Sequence, residues 1–157
     1  MTSNPFVQAG RLREVQASVA NPINSGLKFI VNFASQNGKF DNNLDKVLTK
    51  KWSRVNSDYK TVYAIQTNCK LGFLVESPVA SDVWVLSLIV RDKSDKLDGK
   101  GLLTAMTALS KKALYEHASV HFDKQLFGDM PTLADLVQKH LLDVGVNVYV
   151  YDAAPKN

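Results

Sequence analysis

Residues 27–34, LKFIVNFA, form an almost unbroken apolar run set between NSG and QNG turns, the pattern of a strand buried on both faces. The period then changes. Leu44, Val47, Leu48, Trp52 and Val55 stand at offsets 0, 3, 4, 8 and 11, which predicts an amphipathic helix over 43–57. Residues 60–66 and 70–77 alternate apolar and polar positions around Thr67, Asn68 and Cys69, predicting a hairpin that Pro78 ends. A third strand is expected over 82–91, rich in Val, Ile and Leu, and a polar loop over 92–101 follows it. Leu102, Met106, Leu109 and Ala113 recur at helical spacing and predict a helix over 101–117; residues 119–123 read as a short strand. Thr132 is expected to cap a third helix over 132–144, with Asp135 returning the hydrogen bond. Gly145 stands where a left-handed stop belongs, and residues 146–152 form a closing strand.

Strands that alternate with helices in the second half require right-handed crossovers, so the expected class is α/β, three layers around a mixed, partly parallel sheet. Ligands in such sheets bind beyond the carboxyl ends of the strands. That points to residues 35–43, 92–101 and 124–132.

Composition adds bounds rather than detail. With 157 residues, 45% hydrophobic and 22% charged, the chain reads as one domain with enough core to need neither disulfides nor a structural metal. Its one cysteine, Cys69, offers no partner for either. No apolar run is long enough to cross a membrane and no leader pattern opens the chain, so a cytoplasmic protein without a membrane partner is expected. The net charge of +4 is uneven: residues 1–60 hold nine Lys and Arg against four Asp and Glu. Lys46, Lys50, Lys51 and Arg54, with Trp52 among them, form a basic stretch that suits either a solvated helix face or phosphate contacts.

Familiar catalytic signatures are absent, including GxxxxGK[ST], GxGxxG, GxSxG and HExxH. His117, His121 and His140 have no ligand spacing on one element. Two segments carry phosphate-compatible chemistry, 36–39 (QNGK) and 127–129 (FGD), although both also suit ordinary turns.

From Gly10 to Asp152 the order of elements and several local strings resemble the macrodomain family, in particular its smaller branch. Members of that branch remove ADP-ribose from acidic side chains or dephosphorylate ADP-ribose phosphates. Residues 29–35, FIVNFAS, are similar to the family's buried strand ending in a VNAAN-like string, and 119–124, SVHFDK, to its hmPrIG segment. Phe127 and Gly128 then stand at the second phosphate loop. The resemblance implies a macrodomain-like sandwich that binds ADP-ribose, a related diphosphate nucleotide or an ADP-ribosylated macromolecule, with no further cofactor. It implies ligand-binding positions at Asn32, Ser35, Gln36, Gly38, Phe127 and Gly128. Lys39 and Asp129 are the nearest occupants of its hydrolytic lysine and aspartate, for cleavage of ADP-ribosyl links or of a terminal phosphate. The family's adenine-binding aspartate is replaced, since Gly10-Arg11-Leu12 stands for Gly-Asp-Ile, and the first loop, 37–43, holds one glycine instead of several. A second reading therefore stands beside the first: an inactive interaction module that binds protein or nucleic acid through its basic first third.

Overall fold

The computed structural model describes residues 8–65, 67 and 69–153. Six strands form one sheet in the order β1-β6-β5-β2-β4-β3. They are β1 (Leu12–Val15), β2 (Lys28–Ser35), β3 (Leu74–Ala80), β4 (Val83–Arg91), β5 (Ser119–Asp123) and β6 (Val148–Tyr151). All neighbours run parallel except β3, which pairs antiparallel with β4 at the edge. The helices are α1 (Asn43–Lys51), α2 (Arg54–Ala64), α3 (Gly99–Glu116), α4 (Gln125–Asp129) and α5 (Leu133–His140).

Every residue of β2 is buried, because helices cover both faces of the sheet. The alternation of side chains sorts its contacts. Phe29 stacks on Trp84 of β4, over whose ring Lys112 of α3 sits at 5.0 Å. Asn32, on the opposite face, donates to Asp45 of α1 at 2.8 Å. The result is the expected three-layer α/β/α sandwich with a mixed sheet.

Several local expectations need correction. The predicted helix over 43–57 is two helices, because Trp52 is extended (φ −136°) and its amide closes α1 on the Leu48 carbonyl. Val47 is exposed, while Leu44, Leu48 and Val55 are buried. Residues 60–64 are helical, not a strand. Val55, Tyr59, Val62 and Tyr63 repeat at helical spacing and pack on the core, which outweighs the strand preference of β-branched and aromatic residues. Of the expected hairpin turn, Asn68 lies outside the described residues, as does Gln66 beside it. The hairpin of the molecule is β3–β4, and Pro78 lies inside β3 rather than ending it. An edge strand tolerates this, since proline has no amide to offer a further neighbour.

The third helix also differs: α5 ends at His140, a 3-10 turn covers Leu142–Val144, and Gly145 follows at φ +97°, left-handed as its position predicted. Thr132 makes no side-chain cap bond. The segment read as a loop after β5 contains α4. Asp98, not anticipated, caps α3 by accepting from the Gly101 amide at 2.7 Å.

Candidate functional site

At the carboxyl ends of β2, β4 and β5 lies a cleft of about 290 Å³. Asn32 and Phe33 enter it from β2, Arg91 from the end of β4, and Asp95 and Leu97 from the turn beyond. Asn42 and Leu44 contribute from the start of α1, and Gln125, Leu126 and Asp129 from α4. The place follows from topology, because the chain leaves β2 toward β4 on one side and β5 lies on the other. A register shift between Ala34 and Ser35 pairs Ser35 with Arg91, setting that arginine at the rim.

Arg91 is held by its surroundings. Its Nε donates to Asp95 Oδ1 at 2.8 Å and its Nη1 to the Phe33 carbonyl at 3.3 Å. A guanidinium has five N–H donors, so three remain for a ligand. Beneath it, Asp45 and Asn42 form a capping box: Asn42 Oδ1 accepts from the Asp45 amide, and Asp45 Oδ2 accepts from the Asn42 amide. Asp45 also holds the Asn32 side chain, whose Nδ2 reaches Ser87 Oγ at 3.3 Å as well. Burial raises the Asp45 carboxyl above the usual carboxylate range, against the opposing effect of the Asn32 and Asn42 N–H groups and the Arg91 charge. One group thus caps α1 and orients the cleft floor.

A second, more open cleft of about 650 Å³ abuts the first, and Gln125 lines both. Phe127, Gly128, Lys124, Asp123 and Asp152 line it. Phe127 packs edge-on against Phe122, ring centroids 5.4 Å apart. A Cβ placed on Gly128 would meet nothing within 4 Å. Asp123 is raised from the ordinary carboxylate value by burial and by the neighbouring Asp152 and Asp129 charges, which outweigh the Gln125 amide that it accepts.

The segment after β2 behaves otherwise. Gly38 has φ +84°, its amide donates to Tyr59 Oη at 3.0 Å, and a Cβ there would lie 2.6 Å from the Tyr63 ring. The Tyr59 hydroxyl itself donates to the Ser35 carbonyl at 2.6 Å. Ser35 Oγ is hydrogen-bonded to Asn37 Oδ1, and Gln36 Nε2 donates to the Cys69 carbonyl at 3.1 Å. Phe40 is buried, stacked on Tyr59 at 4.9 Å.

Of the positions singled out in the sequence, Asn32 and Asp129 line the smaller cleft, and Phe127 and Gly128 the larger. Ser35, Gln36 and Gly38 are engaged in turn and core contacts, and Lys39 is exposed and lines neither cleft. Arg11 precedes β1 at the amino end of the sheet, where its amide donates to Asn147 Oδ1 at 2.9 Å. It therefore does not stand at the clefts in place of an aspartate; the residues of the first strand that reach the cleft end are those after Val15. Lys51 donates to the Ala20 carbonyl and Arg54 pairs with Asp58, so the basic helix stretch is partly engaged within the fold. Arg91 and Gln125 went unremarked in the sequence. A lone cation closing an apolar strand was the available signal for Arg91.

A buried polar cluster supports β5 from behind. His121 is fully buried, stacked on Tyr149 at 4.7 Å, and lies 2.7 Å from both Ser119 Oγ and Tyr151 Oη. Tyr151 Oη also accepts from the Ile23 amide, so Ser119, His121 and Tyr151 form one buried chain of hydrogen bonds tied to the backbone. Burial, and then the Lys28 charge, push the His121 pKa down to about 3. Cys69 is buried and its thiol is raised by desolvation, the state of an inert thiol. Among the described residues no helix is long and apolar enough to cross a membrane.

No family model and no curated relative matches the sequence. Solved structures do match. A macrodomain protein from Streptomyces coelicolor superposes with a TM-score of 0.85 at 20% identity, covering 92% of this chain and 100% of that one. The macrodomain of Thermus aquaticus DarG gives 0.72 at 15% identity, with 91% and 99% covered. Thermosipho africanus DarTG, solved in complex with ADP-ribose, gives 0.69 at 12% identity; the match covers 90% of this chain and 41% of that one. At such identities the shared property is the course of the backbone, and by that course the chain is a distant representative of the macrodomain fold.

Proposed function

We propose that the paired clefts bind ADP-ribose or a related diphosphate nucleotide, free or attached to a macromolecule. The observation that carries this reading is the joined clefts at the strand ends, in a fold shared with part of a neighbour solved in complex with ADP-ribose. The smaller cleft suits a phosphate and ribose: Arg91 offers a fixed guanidinium, and the Asn42 and Gln125 side chains offer polar contacts. In the larger cleft Phe127 gives a face for a base, and Gly128 leaves room for backbone approach. In this arrangement anion recognition falls to Arg91, because the Gly38 amide already has a partner.

Hydrolysis of an ADP-ribosyl link would rest on Asp129, an exposed carboxylate of the smaller cleft that, unlike Asp95, is not paired with Arg91: it would take a proton from a water that attacks the anomeric carbon as the bond to the departing carboxylate breaks. Lys39 has no part in this scheme. Calorimetric titration with ADP-ribose tests the reading. Binding is expected for the native chain and for Asp129→Ala, with hydrolysis lost in the latter, while Arg91→Glu and Gly128→Glu are expected to abolish binding. A flat trace for the folded native chain would overturn the proposal. The observation favouring an interaction module instead is the self-satisfied first loop, and that reading takes over if the trace is flat.

A further inference from the structure

We infer that the molecule carries a second anion site, at the amino end of its sheet, which takes the phosphates of a single-stranded nucleic acid. Arg11 immediately precedes β1 and Arg13 lies within it, two positions on. With Asn24, before β2, and Asn147, before β6, they line a groove of about 420 Å³ whose wall includes Tyr149. Among the described residues no Asp or Glu lines it.

The pairing of charges sets these two arginines apart. Arg54 is paired with Asp58 at 3.0 Å and Arg91 with Asp95 at 2.8 Å. Among the described residues the guanidiniums of Arg11 and Arg13 have neither an ion pair nor a hydrogen bond, and both residues are exposed. Two like charges lining one groove, roughly 6.6 Å apart along the backbone at 3.3 Å per residue, repel each other, and an anion between them relieves that repulsion. Guanidinium is the side chain best matched to phosphate, through paired N–H donors. The Asn147 Oδ1 is taken by the Arg11 amide, which leaves its NH₂ as a donor, and Asn24 is held at φ +100° in the turn beside it.

An open groove beside an edge strand, with two cations in series, fits successive phosphates of a chain better than one small anion. The excess of base in residues 1–60 adds a field of the same sign. The groove is independent of the clefts. No residue lines both, and where they come nearest along one strand, Tyr149 of the groove and Asp152 of the larger cleft are three residues apart, roughly 10 Å at 3.3 Å each.

Fluorescence anisotropy of a short labelled oligothymidine, at low and rising salt, tests the inference. The native chain is expected to bind at low salt, and Arg11→Glu/Arg13→Glu to weaken binding about tenfold or more. Arg11→Lys/Arg13→Lys is expected to retain most of the affinity. Loss of both phosphate contacts should flatten the logarithmic salt slope by about 1.4, at about 0.7 per contact on a single strand. Saturating ADP-ribose should change nothing, so this result and the titration of the clefts fail separately. Should the double glutamate variant lose its native circular dichroism, the single Arg→Gln variants, each expected to weaken binding about threefold, replace it. The inference is overturned by absent binding at low salt, by indifference to the arginine variants, by competition from ADP-ribose, or by inorganic pyrophosphate binding as tightly as the oligonucleotide.

Discussion

The segment after β2 and the segment after β5 leave the carboxyl ends of adjacent parallel strands, and each carries a glycine in a phosphate-compatible string. Their polar groups have opposite fates. After β2, Tyr59 takes the Gly38 amide and gives its own proton to the Ser35 carbonyl, Tyr63 closes on the glycine, and Phe40 turns into the core. After β5, Gly128 has open space at its Cα, Asp129 is exposed, and Gln125 touches both clefts. A glycine thus serves the fold where its amide is already satisfied and its Cα is crowded. Gly128 sits within α4, so what it keeps open is the space at its Cα.

The largest expected effect concerns the strand that carries the open segment. His121 stays neutral in the folded protein down to about pH 3, whereas in the unfolded chain it takes a proton near the model-peptide value of about 6.5. Between those values the unfolded state binds more protons, so stability falls as pH falls, by an amount on the order of 4 to 5 kcal/mol for this group alone. Asp45, under the closed segment, acts in the opposite sense: its raised pKa means that acidification relieves a desolvated charge. Urea denaturation across this pH range is expected to show a net loss in the native chain and a much shallower one in His121→Gln. An equal slope in both would break the assignment of acid sensitivity to the β5 side.

Next come the glycines themselves. Gly38→Ala places a Cβ against the Tyr63 ring at a left-handed φ, and is expected to cost about 2 to 4 kcal/mol. Gly128→Ala, in a helix with room, is expected to be neutral or to stabilise by up to about 1 kcal/mol. Comparable losses in the two would erase the distinction between them.

Tyr59→Phe sharpens the contrast more gently. It removes one hydroxyl that both donates to Ser35 and accepts from Gly38, an expected cost of about 1 to 3 kcal/mol. ADP-ribose affinity is expected to be unchanged, because residues 35–41 around the freed amide line neither cleft; a large change would reassign them to the site. The smallest effect is Thr132→Ala, expected within about 0.5 kcal/mol of native because the hydroxyl makes no cap bond.

Local pattern alone determined much of the scaffold. The 27–34 run can be stable only inside a covered sheet, since few of its side chains tolerate water, and Gly145 ends its turn with a backbone angle that other residues resist. The third layer and the long helix α3 follow from apolar spacing in the same way. Residues 60–64 were not decidable on that basis. Their β-branched and aromatic side chains fit a strand, while Val55, Tyr59, Val62 and Tyr63 also fit a helix, and the packing of α2 against β3 made the choice.

The site was legible in part, for a related reason. Asn32, Phe127, Gly128 and Asp129 could be placed near strand ends, because a strand's end is a local event. Whether Gly38 was free depended on Tyr59, twenty-one residues later, and whether Arg11 faced the clefts depended on which end of the sheet β1 begins. Arg91 became a cleft residue through a one-residue register shift between two strands. Sequence order constrains what a residue can do with its neighbours in the chain; hydrogen-bond satisfaction and register are settled between distant segments, so only the tertiary structure could decide them.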